Sequence, residues 1–239
     1  MTNMIECQPK IVGFHTLGCK VNQSETEAMA ALFRADGYEL GSFENYCDVY
    51  VINTCTVTHA GDRKSRQMIR RAKQKNKNAI VVVTGCYAQT SPEDIAAIPD
   101  VDIILGTNNR HVIVEMVNQF DGKRRQLVDE KDTLVDFEEI SMERAIQKAR
   151  AYLKVQEGCE QFCTYCIIPY ARGPLRSRSM ENTLAEAKKL EQAGFREIIL
   201  TGIHLGAYGK PSEAERETGA VQTETLADLC EMLLKETTF

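Results

Sequence analysis

No run of about 18 apolar residues occurs anywhere in the chain, which excludes a membrane-spanning helix. The N-terminus also lacks a basic segment leading into an apolar one, so nothing there reads as a secretory signal. Both absences point to a cytoplasmic protein with no membrane partner. A third absence is local. Cys159, Cys163 and Cys166 fall within eight residues, yet no other Cys or His lies within thirty residues on either side. A structural zinc site draws four ligands from protein, and this run offers three.

Within 239 residues there is room for one or two domains of roughly 150 residues, each burying a core. Hydrophobic residues make up 43% and charged residues 26%, the balance of a globular protein. Nine cysteines without a secretory signal argue against a disulfide framework, because the cytosol keeps thiols reduced. Metal binding is the better use for them. The formal net charge of −5 gives no overall sign of a nucleic-acid partner. One stretch departs from that average: Arg63, Lys64, Arg66, Arg70, Arg71, Lys73, Lys75 and Lys77 are opposed by Asp62 alone. Phosphate contact and a solvated helix surface are both open for it, since no aromatic side chain is interleaved for base stacking.

Thiolates are soft ligands suited to iron–sulfur clusters, zinc or copper, so the dense run Cys159-Glu-Gln-Phe-Cys163-Thr-Tyr-Cys166 is first a metal site. Three thiolates on a cubane leave one iron uncovered by protein. An incomplete zinc knuckle remains the alternative on spacing alone.

The opening residues, Cys7 included, show no periodicity and are expected to fray. From Ile11 the pattern alternates short apolar runs with helical stretches. Strands are predicted at residues 11–16, 48–53, 79–84 and 102–105, and a helix whose start is marked by the capping-box pair Ser24 and Glu27 and whose end is marked by Gly37. The basic stretch reads as a second helix to about Lys77, followed by short helices from about Pro92 and from about Asn109 to Val117. Apolar runs inside strands that alternate with helices predict an α/β fold with a doubly wound parallel sheet.

Cys19, Cys55 and Cys86 each fall just past the end of one of the first three predicted strands. In an open parallel sheet those ends share one edge, where ligands bind, so three loops far apart in sequence can deliver three thiols to one object. Each thiol alone also fits a small buried hydrophobe. Cys7, Cys47 and Cys230 fail the positional test and are assigned to structure; Cys230 lies on an apolar helical stripe with Leu226, Leu229 and Leu233.

These residues resemble known sequences. Cys-x3-Cys-x2-Cys preceded by Leu153-Lys-Val-Gln-Glu-Gly158 is similar to the cluster loop of the radical S-adenosylmethionine (SAM) enzymes. His15-Thr-Leu-Gly-Cys-Lys-Val-Asn22 with Glu25, Asn53-Thr-Cys-Thr-Val57 and Gly85-Cys-Tyr-Ala-Gln89 resemble the three cysteine motifs of the methylthiotransferases. Ile167-Ile-Pro-Tyr-Ala-Arg-Gly173 and Arg176-Ser-Arg178 continue the likeness. Gly18-Cys-Lys-Val-Asn22 and residues 56–66 are most similar to the branch that modifies threonylcarbamoyladenosine beside the anticodon of transfer RNA. The isopentenyladenosine and ribosomal-protein branches are the alternatives within the family, and a zinc-binding, non-catalytic module or another class of radical SAM enzyme outside it.

The resemblance implies two 4Fe–4S clusters and SAM as cofactors. Cys159, Cys163 and Cys166 would hold the cluster that cleaves SAM to methionine and a 5′-deoxyadenosyl radical, which takes hydrogen from C2 of the adenine. Cys19, Cys55 and Cys86 would hold an auxiliary cluster presenting sulfur, with a second SAM giving the methyl group. It implies contacts to SAM from Tyr165, Thr201 and Gly202, with His204 a radical-site or solvated loop residue. It further implies a transfer RNA substrate and an electron-donor protein such as a flavodoxin or ferredoxin.

The expected organisation is an N-terminal domain over residues 1–120, a linker with a helical end over 121–149, and the beginning of a radical SAM domain over 150–239. The last part predicts a strand at 151–156, a helix from about Asn182 to Ala193 stopped by Gly194, a strand at 197–201, a polar loop through residue 222 and a helix at 225–235. That amounts to two units of a partial β/α barrel, and a parallel barrel does not close on two strands. The sequence therefore reads as the front of a longer chain, with one barrel edge left open.

Overall fold

The computed structural model describes residues 9–57, 59–141 and 149–239. Cys7, the opening residues and the helical end expected before residue 149 lie outside them.

Strand β1 (Ile11–Thr16) leads into α1 (Lys20–Ala35), a three-residue strand β2 (Glu39–Gly41), β3 (Val49–Thr54), α2 (His59–Lys75) and β4 (Ile80–Gly85). Two short helices follow, α3 (Cys86–Thr90) and α4 (Pro92–Ala96), then β5 (Ile103–Leu105), α5 (Ile113–Asn118) and β6 (Arg125–Leu127). The six strands form one parallel sheet in the order β2-β1-β3-β4-β5-β6. The order reverses between β1 and β3. In doubly wound sheets that reversal opens a crevice at the carboxyl ends of the strands, which is where ligands sit.

Alternate residues of one strand serve opposite layers. Val49 and Val51 join Met29 and Phe33 of α1 and Ile113 and Val117 of α5. Tyr50 and Ile52 join Met68, Ile69 and Ala72 of α2 with Ile95 of α4. Burial on both faces explains why these strands read as continuous apolar runs.

The second part begins with β7 (Arg150–Glu157), followed by α6 (Ile168–Arg172), β8 (Arg176–Ser177), α7 (Met180–Gln192), β9 (Glu197–Gly202), α8 (Glu213–Glu217) and α9 (Leu226–Glu236). β7 pairs with β9 in parallel and with β8 antiparallel. A separate core gathers Leu153, Val155, Ala187, Leu190, Leu229 and Leu233, and Ala28 of α1 belongs to it. Helix α1 thus serves both sheets.

Four local expectations change, one of them the polar loop read through residue 222, which holds α8 (Glu213–Glu217) capped by Ser212. Helix α1 starts at Lys20 with Cys19 as its N-cap, so Ser24 and Glu27 form no capping box; Ser24 and Glu25 are buried within the helix instead. The segment after α5, read as connection, supplies β6 as an edge strand of the first sheet. Two more short strands, β2 and β8, were not predicted; two or three residues are too few to show a period. Among the described residues no helix is long and apolar enough to cross a membrane.

Candidate metal centres

Cys19, Cys55 and Cys86 stand at the carboxyl ends of β1, β3 and β4, the edge the sheet reversal opens. Gly18, at φ +102°, turns the chain between β1 and α1, and a Cβ built there would lie 2.9 Å from the Cβ and 3.0 Å from the Sγ of Cys55. The first two thiols are therefore neighbours. Gly85, at φ +93°, meets Thr54 as closely: an added Cβ would stand 2.5 Å from the Thr54 carbonyl oxygen. Glycine allows both the positive φ and the approach of backbones.

Asn22, 1% exposed on the first turn of α1, ties the loops together. Its Nδ2 donates to the Leu17 carbonyl at 2.8 Å and the Thr54 carbonyl at 2.9 Å. Its Oδ1 accepts from Cys19 Sγ at 3.6 Å. Asn53 Nδ2 in turn donates to the Asn22 carbonyl at 2.9 Å.

Burial pushes the Cys86 thiol up, and the Arg172 guanidinium pulls against it from a distance of 3.3 Å between Nε and Sγ. Arg172 comes from α6, in the other half of the molecule, and is fully buried. Around it lie Glu25, Glu157, Lys154 and Arg110, all at most 9% exposed. Lys154 Nζ donates to Glu157 Oε2 at 2.7 Å and to Glu25 Oε1 at 3.3 Å, and Arg110 Nη2 stands 3.1 Å from Glu25 Oε1. Burial pushes the Glu25 carboxyl up, but Arg110, Arg172 and Lys154 outweigh it and hold it below the usual carboxylate range. Arg110 reaches Glu138 at 2.9 Å as well, so the network binds both halves and the segment between them.

The second triplet leaves the end of β7. Gly158 at φ +73° opens the loop, and the Cys159 N–H donates to the Gly173 carbonyl at 3.1 Å, closing it. Cys163 is exposed, Cys159 and Cys166 are half-buried. Phe162, at φ +44°, stands edge-on to Tyr170 at 6.0 Å. Tyr165 lies on the outer surface, 90% exposed. Thr201 and Gly202 end β9 beside the root of the loop, with Gly202 paired to Gln156. The His204 N–H donates to Gln156 Oε1 at 2.6 Å, and its Nδ1 is buried without a hydrogen-bond partner.

Among the described residues no three Cys, His, Asp or Glu side chains gather about a single-ion position. The fit to a cluster rests on the donor set: two trios of soft thiols, one sulfur carrying a guanidinium N–H, a donor set that suits iron–sulfur ligation. Cys47, fully buried against Gly13 and Gly41, and Cys230 on α9 stand apart from both trios.

Gly158→Ala tests the loop. The added Cβ would meet the Pro174 carbonyl oxygen at 1.7 Å, on a backbone that L-residues avoid. Iron bound by the second trio is expected to be lost, while Gly194→Ala, with nothing within 4 Å, keeps it. Equal iron in the two variants, measured after anaerobic loading, would show that this turn does not shape the site.

The exposed face of α2 is the other feature. Arg63, Arg66, Gln67, Arg70, Arg71 and Gln74 line an open depression of about 540 Å³. The eight cations divide. Arg66 donates to the Tyr87 hydroxyl, Arg71 and Lys75 pair with Glu44, and Lys73 pairs with Asp102 at 2.8 Å. Arg63, Lys64, Arg70 and Lys77 are exposed, and no ion pair is formed by them among the described residues.

Sequence composition and spacing did not disclose Arg172, Glu157, Lys154 or Arg110 as parts of a site. The available signal was Glu25, a carboxylate in register with Met29 on the buried stripe of α1.

Two regions of the chain match known families. Residues 11–106 match the uncharacterized protein family UPF0004, and residues 153–224 match the Radical SAM superfamily. The chain is 52% identical over 201 residues to the threonylcarbamoyladenosine tRNA methylthiotransferase MtaB of Bacillus subtilis, covering 83% of this chain and 45% of that protein. It is 44% identical to the protein of the same name from Aquifex aeolicus, over 83% of this chain and 49% of the relative. It is 34% identical to the ribosomal protein uS12 methylthiotransferase RimO of Acaryochloris marina, over 87% of this chain and 48% of the relative. The chain spans about half the length of the curated relatives it matches. With both cysteine trios falling inside the two matched regions, the chain belongs to the radical SAM methylthiotransferase family.

Proposed function

We propose that this protein acts in the cytoplasm to add a methylthio group to C2 of N6-threonylcarbamoyladenosine at position 37 of transfer RNA. The observation that carries the reading is the junction of the two cysteine trios: one guanidinium, Arg172, sits six residues past Cys166 and 3.3 Å from the sulfur of Cys86. Relatives named for that substrate match at 52%, 44% and 38%, against 34% to 37% for those named for ribosomal protein uS12.

Cys159, Cys163 and Cys166 would hold one 4Fe–4S cluster and Cys19, Cys55 and Cys86 a second, each with one iron free of protein. When bound, the first would supply the electron that cleaves SAM and the second the sulfur for transfer. The chain's own residues hold those sites in place. Asn22 fixes the Cys19 and Cys55 loops against each other, and Gly158 and Gly173 pinch the radical SAM loop. Tyr165, exposed at the loop, would pack on the SAM adenine, and Thr201 and Gly202 would approach SAM from the end of β9. A small redox protein such as a flavodoxin or ferredoxin would deliver electrons.

Mass spectrometry of transfer RNA nucleosides from a strain lacking the gene is the decisive measurement. The methylthio form of threonylcarbamoyladenosine should disappear and its unmodified parent accumulate. Loss of methylthio-isopentenyladenosine, or of the modification on uS12, with threonylcarbamoyladenosine products untouched, would assign the other branches instead.

Transfer RNA phosphates would dock on α2 through Arg63, Lys64, Arg70 and Lys77. Each phosphate contact contributes roughly 0.7–0.9 to the slope of log K against log salt. Reversing all four charges is therefore expected to make the slope shallower by about 3. An unchanged slope removes this face from the interface.

A further inference from the structure

Resting on that reading, we infer that Arg172 is a positioning residue for the auxiliary cluster, supplied by the radical SAM loop, and that it raises that cluster's reduction potential through Cys86.

The guanidinium has five N–H groups in a rigid fork, and every one is used. Nε donates to Cys86 Sγ at 3.3 Å. Nη1 donates to Glu25 Oε1 and to Glu157 Oε1, the second at 3.0 Å. Nη2 donates to Asn22 Oδ1 at 2.7 Å and Glu25 Oε2 at 3.2 Å. Asn22 Oδ1 is the same atom that accepts from Cys19 Sγ. Arg172 therefore grips one auxiliary sulfur directly and, through Asn22, the amide that ties the Cys19 and Cys55 loops together.

Its own backbone is anchored on the other side. Arg172 ends α6, directly after the loop that carries Cys159, Cys163 and Cys166, and the Gly173 carbonyl takes the Cys159 N–H at 3.1 Å. The Ala171 carbonyl accepts from Thr107 Oγ1 at 2.8 Å, fixing the same turn to the first sheet. A short rigid path thus joins the two trios, and the side chain at its centre carries a full positive charge with no exposure to water.

A charged N–H donor on a ligand sulfur draws electron density from the cluster and favours its reduced form; hydrogen bonding to the sulfurs and burial are two of the main levers a protein has over cluster potential. In a buried site the effect is weakly screened. Among the described residues Arg172 donates to a sulfur of the first trio and to none of Cys159, Cys163 or Cys166, so the effect should be confined to the auxiliary cluster.

Removing Arg172 alone leaves Glu25 and Glu157 buried and unbalanced, so the test pairs it with Glu25→Gln. The chain carrying Arg172→Gln and Glu25→Gln is loaded anaerobically in two backgrounds. Cys159, Cys163 and Cys166 are alanine in the first, which isolates the auxiliary cluster; Cys19, Cys55 and Cys86 are alanine in the second. Potentials are read by titration followed by electron paramagnetic resonance.

The auxiliary midpoint is expected to fall, with the reduced-to-oxidised ratio at fixed potential dropping about tenfold, some 59 mV for one electron. The other cluster's midpoint should not move. Selective loss of auxiliary iron from the double variant also supports the assignment. Glu25→Gln alone keeps the bond to sulfur and should not lower the potential. An unmoved auxiliary midpoint at full iron, or an equal change in both backgrounds, overturns the inference. If the backgrounds with unaltered Arg172 and Glu25 load no cluster, the functional reading fails instead.

Discussion

Cys86→Ala is expected to cut the iron and acid-labile sulfide of the anaerobically loaded protein from two clusters' worth to one, and to abolish methylthiolation. The substitution removes the sulfur of a residue that is 4% exposed and leaves the smaller methyl group at the start of α3. What it costs the fold is one acceptor. The Arg172 Nε–H loses its partner, a penalty of about 1–3 kcal/mol for a buried donor left unmade, and the remaining four donors of that guanidinium stay engaged. A folded, partly loaded, inactive protein is the result that separates a ligand from a core residue. Cys159→Ala should give the same iron loss from the other trio. Cys47→Ala supplies the contrast: its thiol is buried, donates to the Ser42 carbonyl at 3.5 Å, and sits away from both loops, so its removal should lower stability and leave iron untouched. Full iron and retained activity in Cys86→Ala would refute the auxiliary role, and stoichiometric zinc without sulfide in the unaltered protein would refute both clusters.

The placement of Cys19, Cys55 and Cys86 along one sheet edge was legible in the sequence because it depends on local facts. Apolar runs mark strands, the residue after a strand marks the sheet edge, and parallel strands put those edges together; Cys55 and Cys86 follow β3 and β4 with no residue between. The network that joins the trios was not legible. Arg172 and Glu25 are 147 residues apart, and no period or spacing connects them. Ser24 and Glu27 misled in the opposite direction: their spacing imitates a helix start, but the strand-to-helix turn at Gly18 leaves no room for a further loop, and α1 begins at once after Cys19. The edge strands β2, β6 and β8 were missed for a simpler reason, since each is held by backbone pairing with a neighbour and not by a pattern of its own.

The largest loss of stability is expected from Glu25→Ala, about 3–5 kcal/mol, as for other buried pairs broken from one side. For a chain of this length that is a Tm lower by roughly 10 °C. The reason is charge balance. Arg110, Arg172 and Lys154 face Glu25, Glu157 and Glu138 where each is at most 9% exposed or half-buried, and Glu25 touches all three cations. Without it the cations repel one another with little solvent to screen them. The same depressed carboxyl sets a pH dependence. Because the cations hold Glu25 below the ordinary carboxylate range in the folded protein, its contribution is complete above that range and is lost as pH falls from it through the lower folded value. Glu25→Gln should therefore flatten the acid limb of the stability profile. Denaturant midpoints for Glu25→Gln, Arg172→Gln and the double variant close the argument: neighbours in one network should show coupling of about 0.5–3 kcal/mol, the pair together costing less than the sum of the two. Strict additivity would mean that the two side chains do not share their charge, and that the bridge between the trios is steric only.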